Sequence, residues 1–213
     1  MKYTHIIWDF NGTMLDDVRV CIDAVNVLLR ARNLPTLDSE EAYREVSGFP
    51  VIDYYKRIGF DFSKEPYDKV ALEWVEQYTE HVHEASLYSD VLAVLSYFRE
   101  QGMKQILLSA SEIKMLKGQV ASLGIGEFFD QICGMDNVYA HGKISLAKTW
   151  RRENPEAVAL FVGDTDHDME VAKVIDADCV LFSGGHQSRR RLEETGYPVV
   201  DRLTELESLL RGK

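Results

Sequence analysis

The sequence predicts an α/β fold: a doubly wound parallel sheet interrupted by an inserted all-helical domain. Three observations carry that expectation. First, two short apolar runs, His5-Ile6-Ile7-Trp8 and Val158-Ala159-Leu160-Phe161-Val162, each lead into an aspartate next to a glycine turn. A buried parallel strand presents a reactive group at its C-terminal end in this way, and open α/β sheets bind ligands there. Second, from Tyr88 onward apolar runs of strand length alternate with helical periods. That alternation implies parallel strands joined by crossover helices. Third, nothing between residues 16 and 86 reads as a convincing strand.

Taken in order, the first strand ends at Trp8, and from Asp17 the period turns helical. Val18, Ile22, Val25 and Leu29 then share one face, and Pro35 ends that region. Asp38 with Glu41 reads as the capping-box start of a second helix. Ser47-Gly48-Phe49-Pro50 breaks it, and 51–58 reads as a third helix. A fourth runs from Pro66 to about Glu84, with Val70, Trp74, Tyr78 and Val82 as its apolar positions. Residues 16–86 are therefore expected to form a helical domain, with 1–15 and 87–213 forming the core. In that core, strands are expected at 104–109, 131–133, 158–162, 179–182 and 199–200. Helices are expected at 90–101, 112–123, about 145–153, 166–175, near 188–195 and from 203.

Composition narrows the function. The chain has 213 residues and is 46% hydrophobic, enough for one ordinary core and a small accessory domain. A net charge of −11 repels a phosphate backbone and argues against nucleic acid as a partner. Cys21, Cys133 and Cys179 sit in apolar contexts without metal-ligand spacing. They read as reduced core residues of a cytoplasmic protein. No secretory leader is expected, and no apolar run reaches the roughly 18 residues of a membrane helix.

Several residues have the chemistry of a phosphate site, each with a plainer alternative. Asp9 can attack phosphorus or hold a metal, or it can simply begin the Asn11-Gly12 turn. Gly12 permits a positive φ, so the amides of Asn11-Gly12-Thr13 can cradle an anion or form an ordinary βα turn. Ser109 closes its strand and can hold a phosphoryl oxygen, while Ser111 reads as the N-cap of the next helix. Lys143 and Lys148 precede the second acidic cluster, and either can hold a charged phosphate. Asp164 and Asp168 suit a hard cation such as Mg²⁺. Thr165 with Asp168 also reads as a capping box, which accounts for Asp168 but not for Asp164. Asn11-Gly12 is further expected to deamidate slowly, turning residue 11 into a carboxylate.

Together these residues resemble the haloacid dehalogenase superfamily, in its phosphoglycolate-phosphatase-like branch. The first motif, Asp-x-Asp-x-Thr, is met by Asp9-Phe10-Asn11-Gly12-Thr13 with Asn in place of the second Asp. Ser109 matches the second motif, Lys143 (with Lys148 as fallback) the third, and Gly163-Asp164-Thr165-Asp166-His167-Asp168 the fourth. The resemblance covers essentially the whole chain. It implies a Rossmann-like core with a helical cap inserted between the first two motifs. It also implies a Mg²⁺-dependent phosphatase acting on a small phosphorylated metabolite through an aspartyl-phosphate on Asp9.

By the same resemblance, Mg²⁺ is held by Asp9, the backbone carbonyl of Asn11 and Asp164, with Asp168 supporting them from behind. Ser109 and Lys143 hold the phosphoryl oxygens, with amides around Gly12, Thr13 and Ala110. Gly48 and Phe49, at a helix break of the cap, contact the rest of the substrate. In the family the second Asp protonates the leaving alcohol and later activates water. Asn11 can do neither, a loss of about 10² to 10⁴ in rate. A non-catalytic phospholigand-binding protein is the alternative reading, and dehalogenation a weaker third.

Overall fold

The computed structural model describes residues 2–136 and 142–211. In chain order its elements are β1 (His5–Trp8), β2 (Leu15–Asp16), α1 (Val18–Ala31), α2 (Glu40–Val46), α3 (Val51–Arg57), α4 (Tyr67–His81), β3 (Ser86–Leu87), α5 (Val91–Glu100), β4 (Lys104–Glu112), α6 (Ile113–Ser122), β5 (Gln131–Met135), α7 (Lys143–Glu153), β6 (Ala159–Gly163), α8 (Asp166–Val174), β7 (Asp178–Phe182), α9 (Arg189–Glu193), β8 (Val199–Val200) and α10 (Glu205–Arg211). Six strands pair in parallel in the order β5-β4-β1-β6-β7-β8. The chain moves outward from β1 through β4 to β5, then returns to the other side of β1 for β6. This reversal opens a crevice at the C-terminal ends of β1 and β6, the usual ligand position in such sheets.

Side chains alternate across the sheet with a period of two, so each strand feeds two cores. Ile6, Trp8, Leu107, Leu160, Val162, Val180 and Phe182 pack with residues of α5, α6 and α10. Ile7, Ile106, Leu108, Phe161, Cys179 and Leu181 pack with residues of α7, α8 and α9. A third apolar cluster lies among α1–α4, where Val18, Ile22, Val25 and Leu29 are buried with Val70 and Tyr78. The chain enters and leaves this helical stretch through an antiparallel pair, with Leu15 opposite Leu87. At two residues each, β2 and β3 are too short to show a strand period.

Helix and strand ends shift where side chains override the expected caps. Ser39, not Asp38, caps α2, its side chain accepting from Ala42 N at 3.1 Å. Asp38 instead accepts from Thr36 Oγ1. Strand β4 runs on past Ser109 because its pairing with β5 resumes at Glu112 opposite Met135 after an irregularity. Ser111 therefore lies in a strand, and Glu112 caps α6 by accepting from Met115 N at 3.0 Å. Helix α7 starts at Lys143, two residues earlier than the sequence implied. Among the described residues, no helix is long and apolar enough to cross a membrane.

Candidate active site

Three neighbouring strand ends supply the site. Trp8 lies opposite both Leu107 and Val162, so Asp9, Ser109 and Asp164 all follow on at one edge of the sheet. Asp9 N donates to Val162 O at 2.9 Å, which carries the pairing one residue past the strand. Lys143 reaches the same point from the first residue of α7. Its buried Nζ bridges Asp9 Oδ1 and Asp168 Oδ1. Lys148 is exposed. Five residues along a helix is about 140° of rotation, which turns it away from Lys143. The structure thus brings Lys143, not Lys148, to Asp9.

Asp168 combines two readings that looked like alternatives. Its Oδ2 completes a capping box with Thr165, accepting from Thr165 N and Oγ1, and it also accepts from Asp164 N at 3.1 Å. Its other oxygen holds Lys143. A Cβ on Gly163 would overlap the Asp168 side chain, so the glycine makes this approach possible. Thr13 Oγ1 donates to Asp164 Oδ1 at 3.0 Å and lies 3.5 Å from Asp9 Oδ2. Gly12 has a φ of +72°, and a Cβ there would overlap the Asp164 carboxylate and the His186 ring.

The electrostatics follow from burial of unequal charges. Burial raises the Asp9 carboxyl well above its usual range; Lys143 opposes that, and Asp168 and Asp164 reinforce it. Burial likewise raises Asp164, against the pull of His186. For Lys143, burial favours loss of the proton, but Asp168 and Asp9 outweigh it and hold the ammonium. For Asp168, burial is outweighed by Lys143 and Thr165, so it stays ionised. The oxygens of Asp9, Asp164 and Asp168 approach within 4.8 Å of one another. An all-oxygen cluster with this excess of negative charge fits a hard divalent cation. Within the cluster, Asp168 holds the Lys143 ammonium and the amides of Asp164 and Thr165.

Other expected roles are placed differently. Gly12 N donates to Leu15 O and Asp17 Oδ1, both at 2.9 Å, and Thr13 N to Phe10 O. Both amides thus have acceptors within the protein, the Asp17 carboxylate among them. Ser109 Oγ accepts from Ser111 N at 3.1 Å. Ala110 lies between them in β4, partly buried. Gly48 is buried against Arg191 and Gln187, whereas Phe49 is 44% exposed and stacks on His167 at 4.7 Å.

Residue 11 belongs to a network that sequence reasoning missed. Asn11 Nδ2 donates to Asp17 Oδ2 and Tyr78 Oη, each at 2.7 Å, and its Oδ1 accepts from Ser111 Oγ at 2.8 Å. Asp17 also accepts from Tyr78 and pairs with His186 Nε2 at 3.3 Å. Burial would drive the proton off His186, but Asp17 outweighs it and lifts the imidazole to about 9. His186 N in turn holds Asp164 Oδ2 at 2.6 Å. A signal for His186 existed: the apolar run 179–182 ends in Ser183-Gly184-Gly185-His186, the same strand-end pattern that singled out Asp9. Asp17 left no such signal beyond its place before a helix.

Comparison with known proteins agrees with the geometry. The family model of haloacid dehalogenase-like hydrolases matches residues 6–182. Phosphoglycolate phosphatase of Rhodobacter capsulatus is 24% identical over 85% of this chain and 85% of its own length. That of Pseudomonas syringae pv. tomato is 25% identical over 94% of this chain and 77% of its own. A haloacid dehalogenase-like family hydrolase from Streptococcus pneumoniae has the same fold, with a TM-score of 0.82 at 19% identity over 98% of this chain and 99% of that one.

Proposed function

We infer the reaction from one premise, that the chain belongs to the haloacid dehalogenase-like hydrolase family and is a phosphatase of it. From that premise we propose that it is a Mg²⁺-dependent phosphomonoester hydrolase working through an aspartyl-phosphate on Asp9. The observation that carries this reading is the Lys143 ammonium, buried between Asp9 and Asp168 at the sheet's switch point. Relatives named phosphoglycolate phosphatase support a small phosphorylated acid as substrate.

In this reading Lys143 holds Asp9 Oδ1, which leaves Oδ2, with its one long contact to Thr13, to attack phosphorus. The P–O bond to the leaving oxygen breaks as the bond to Asp9 forms, and the departing alkoxide takes a proton from solvent. Water then attacks the phosphorus, releases inorganic phosphate and restores the carboxylate. Lys143 and Ser109 position the phosphoryl oxygens. Asp9, Asp164 and the backbone carbonyl of Asn11 would hold Mg²⁺, which would supply charge neutralisation at the phosphoryl group. Residues 16–86 act as a cap over the crevice, with Gly48 and Phe49 at its inner edge.

Asn11 is committed to Asp17, Tyr78 and Ser111 and has no proton of suitable acidity to give. Turnover of alkyl phosphates is therefore weaker than an aspartate would allow. A phosphate-release screen over small phosphorylated acids tests the whole reading. Release is expected with Mg²⁺ and none with excess EDTA. Release that EDTA does not alter contradicts the metal assignment. Binding of these compounds without any release favours the non-catalytic alternative.

A further inference from the structure

A second group of ligating side chains lies beside the site but outside the mechanism above. Asp17 precedes α1, and Cys21 lies one turn further along it. His186 comes from the turn after β7. All three side chains are buried or nearly so. One donor atom from each lies within 4.8 Å of the other two. We propose that Asp17, Cys21 and His186 form a second metal site, for Zn²⁺ or an ion of its class, that ties α1 to the turn after β7.

The donor set is the first argument. One oxygen, one sulfur and one imidazole nitrogen suit a borderline-soft ion and not Mg²⁺, which wants oxygen throughout. Spacing is the second. Tetrahedral bonds of about 2.0 to 2.3 Å put neighbouring ligands about 3.3 to 3.8 Å apart. His186 Nε2 is 3.3 Å from Asp17 Oδ1, Cys21 Sγ is 3.8 Å from the other oxygen, Oδ2, and one donor atom of each residue lies within 4.8 Å of the other two, a spacing that a small shift of the side chains closes onto an ion. Three protein ligands leave one position for water.

The surrounding hydrogen bonds are the third argument. A metal-binding imidazole is normally fixed through its other nitrogen, and a binding carboxylate through further donors. His186 Nδ1 lies 3.0 Å from Tyr43 Oη. Asp17 is fixed by Gly12 N, Asn11 Nδ2 and Tyr78 Oη. Entry of M²⁺ displaces the Cys21 thiol proton, and any proton on the His186 Nε2, to solvent.

Because His186 N holds Asp164, an ion here braces a carboxylate of the catalytic crevice from behind. The proposal does not rest on the phosphatase reading, and its test does not measure activity. The metal-freed full-length protein is titrated with Co²⁺ while excess Mg²⁺ fills the carboxylate cluster. One Co²⁺ per chain is expected, with a thiolate-to-metal charge-transfer band in the near ultraviolet. The band should persist in Cys133→Ser/Cys179→Ser, where Cys21 is the sole cysteine left, and vanish in Cys21→Ser. Absence of the band in the parent protein overturns the proposal, and that result does not depend on any variant folding. Loss of the band in the folded double variant, or its survival in Cys21→Ser, also overturns it.

Discussion

Residue 11 shows how a single atom exchange is absorbed by its neighbours. An aspartate there would place an oxygen where Asn11 Nδ2 now lies, 2.7 Å from Asp17 Oδ2. Two carboxylates that close do not both ionise, so one must keep a proton. Asn11→Asp is therefore expected to destabilise the fold at neutral pH by about 1 to 3 kcal/mol, the range of strongly coupled contacts. Asp17→Asn added to it should recover most of that loss in urea melts. Additive losses from the two substitutions would contradict a direct coupling. The same geometry reverses an expectation from sequence. Deamidation needs Gly12 N to attack the Asn11 side chain, but that nitrogen donates to both Leu15 O and Asp17 Oδ1. Peptide mapping of aged native protein should find residue 11 still as Asn. Accumulation of Asp in the native state faster than in the unfolded chain would contradict this protection.

At the scale of elements, the turn after β7 is gripped by the helical stretch. Arg44 of α2 donates Nε to Gly185 O and Nη2 to Gly184 O, both at 2.8 Å. Arg191 of α9 reaches back to Ser47 O and to Asp166. Hydrogen bonds from a charged donor contribute about 1.5 to 3 kcal/mol each. Arg44→Ala, which removes both, is thus expected to lower stability by about 3 kcal/mol or more and to speed amide exchange across 183–187. Unchanged exchange there would mean that the turn is held by other contacts. Strands β1, β6 and β7 were legible because burial on both faces makes near-continuous apolar runs. The start of α7 was not legible. Lys143 is buried by charge partners distant in sequence, and hydrophobic periodicity does not register a buried lysine. Ser111 was misread for a similar reason: its strand continues by pairing with β5, a tertiary effect that a local capping pattern cannot reveal.

Across the whole molecule, the site draws on residues from 9 to 186, gathered by one topological reversal of the sheet. The order of motifs pointed to Asp9, Lys143 and Asp164, which the fold brings together. The Asp17–His186 pair was not legible, because 169 positions separate its members and each sits in an ordinary local context. In the proposed mechanism Asp9 receives the phosphoryl group. The most direct test is acid quench of the enzyme turning over a radiolabelled phosphate ester with Mg²⁺, followed by peptide mapping. A hydroxylamine-sensitive label is expected on the peptide that carries Asp9, and neither label nor turnover in Asp9→Asn. Turnover by Asp9→Asn at the parent rate, or label on another residue, would contradict this role of Asp9.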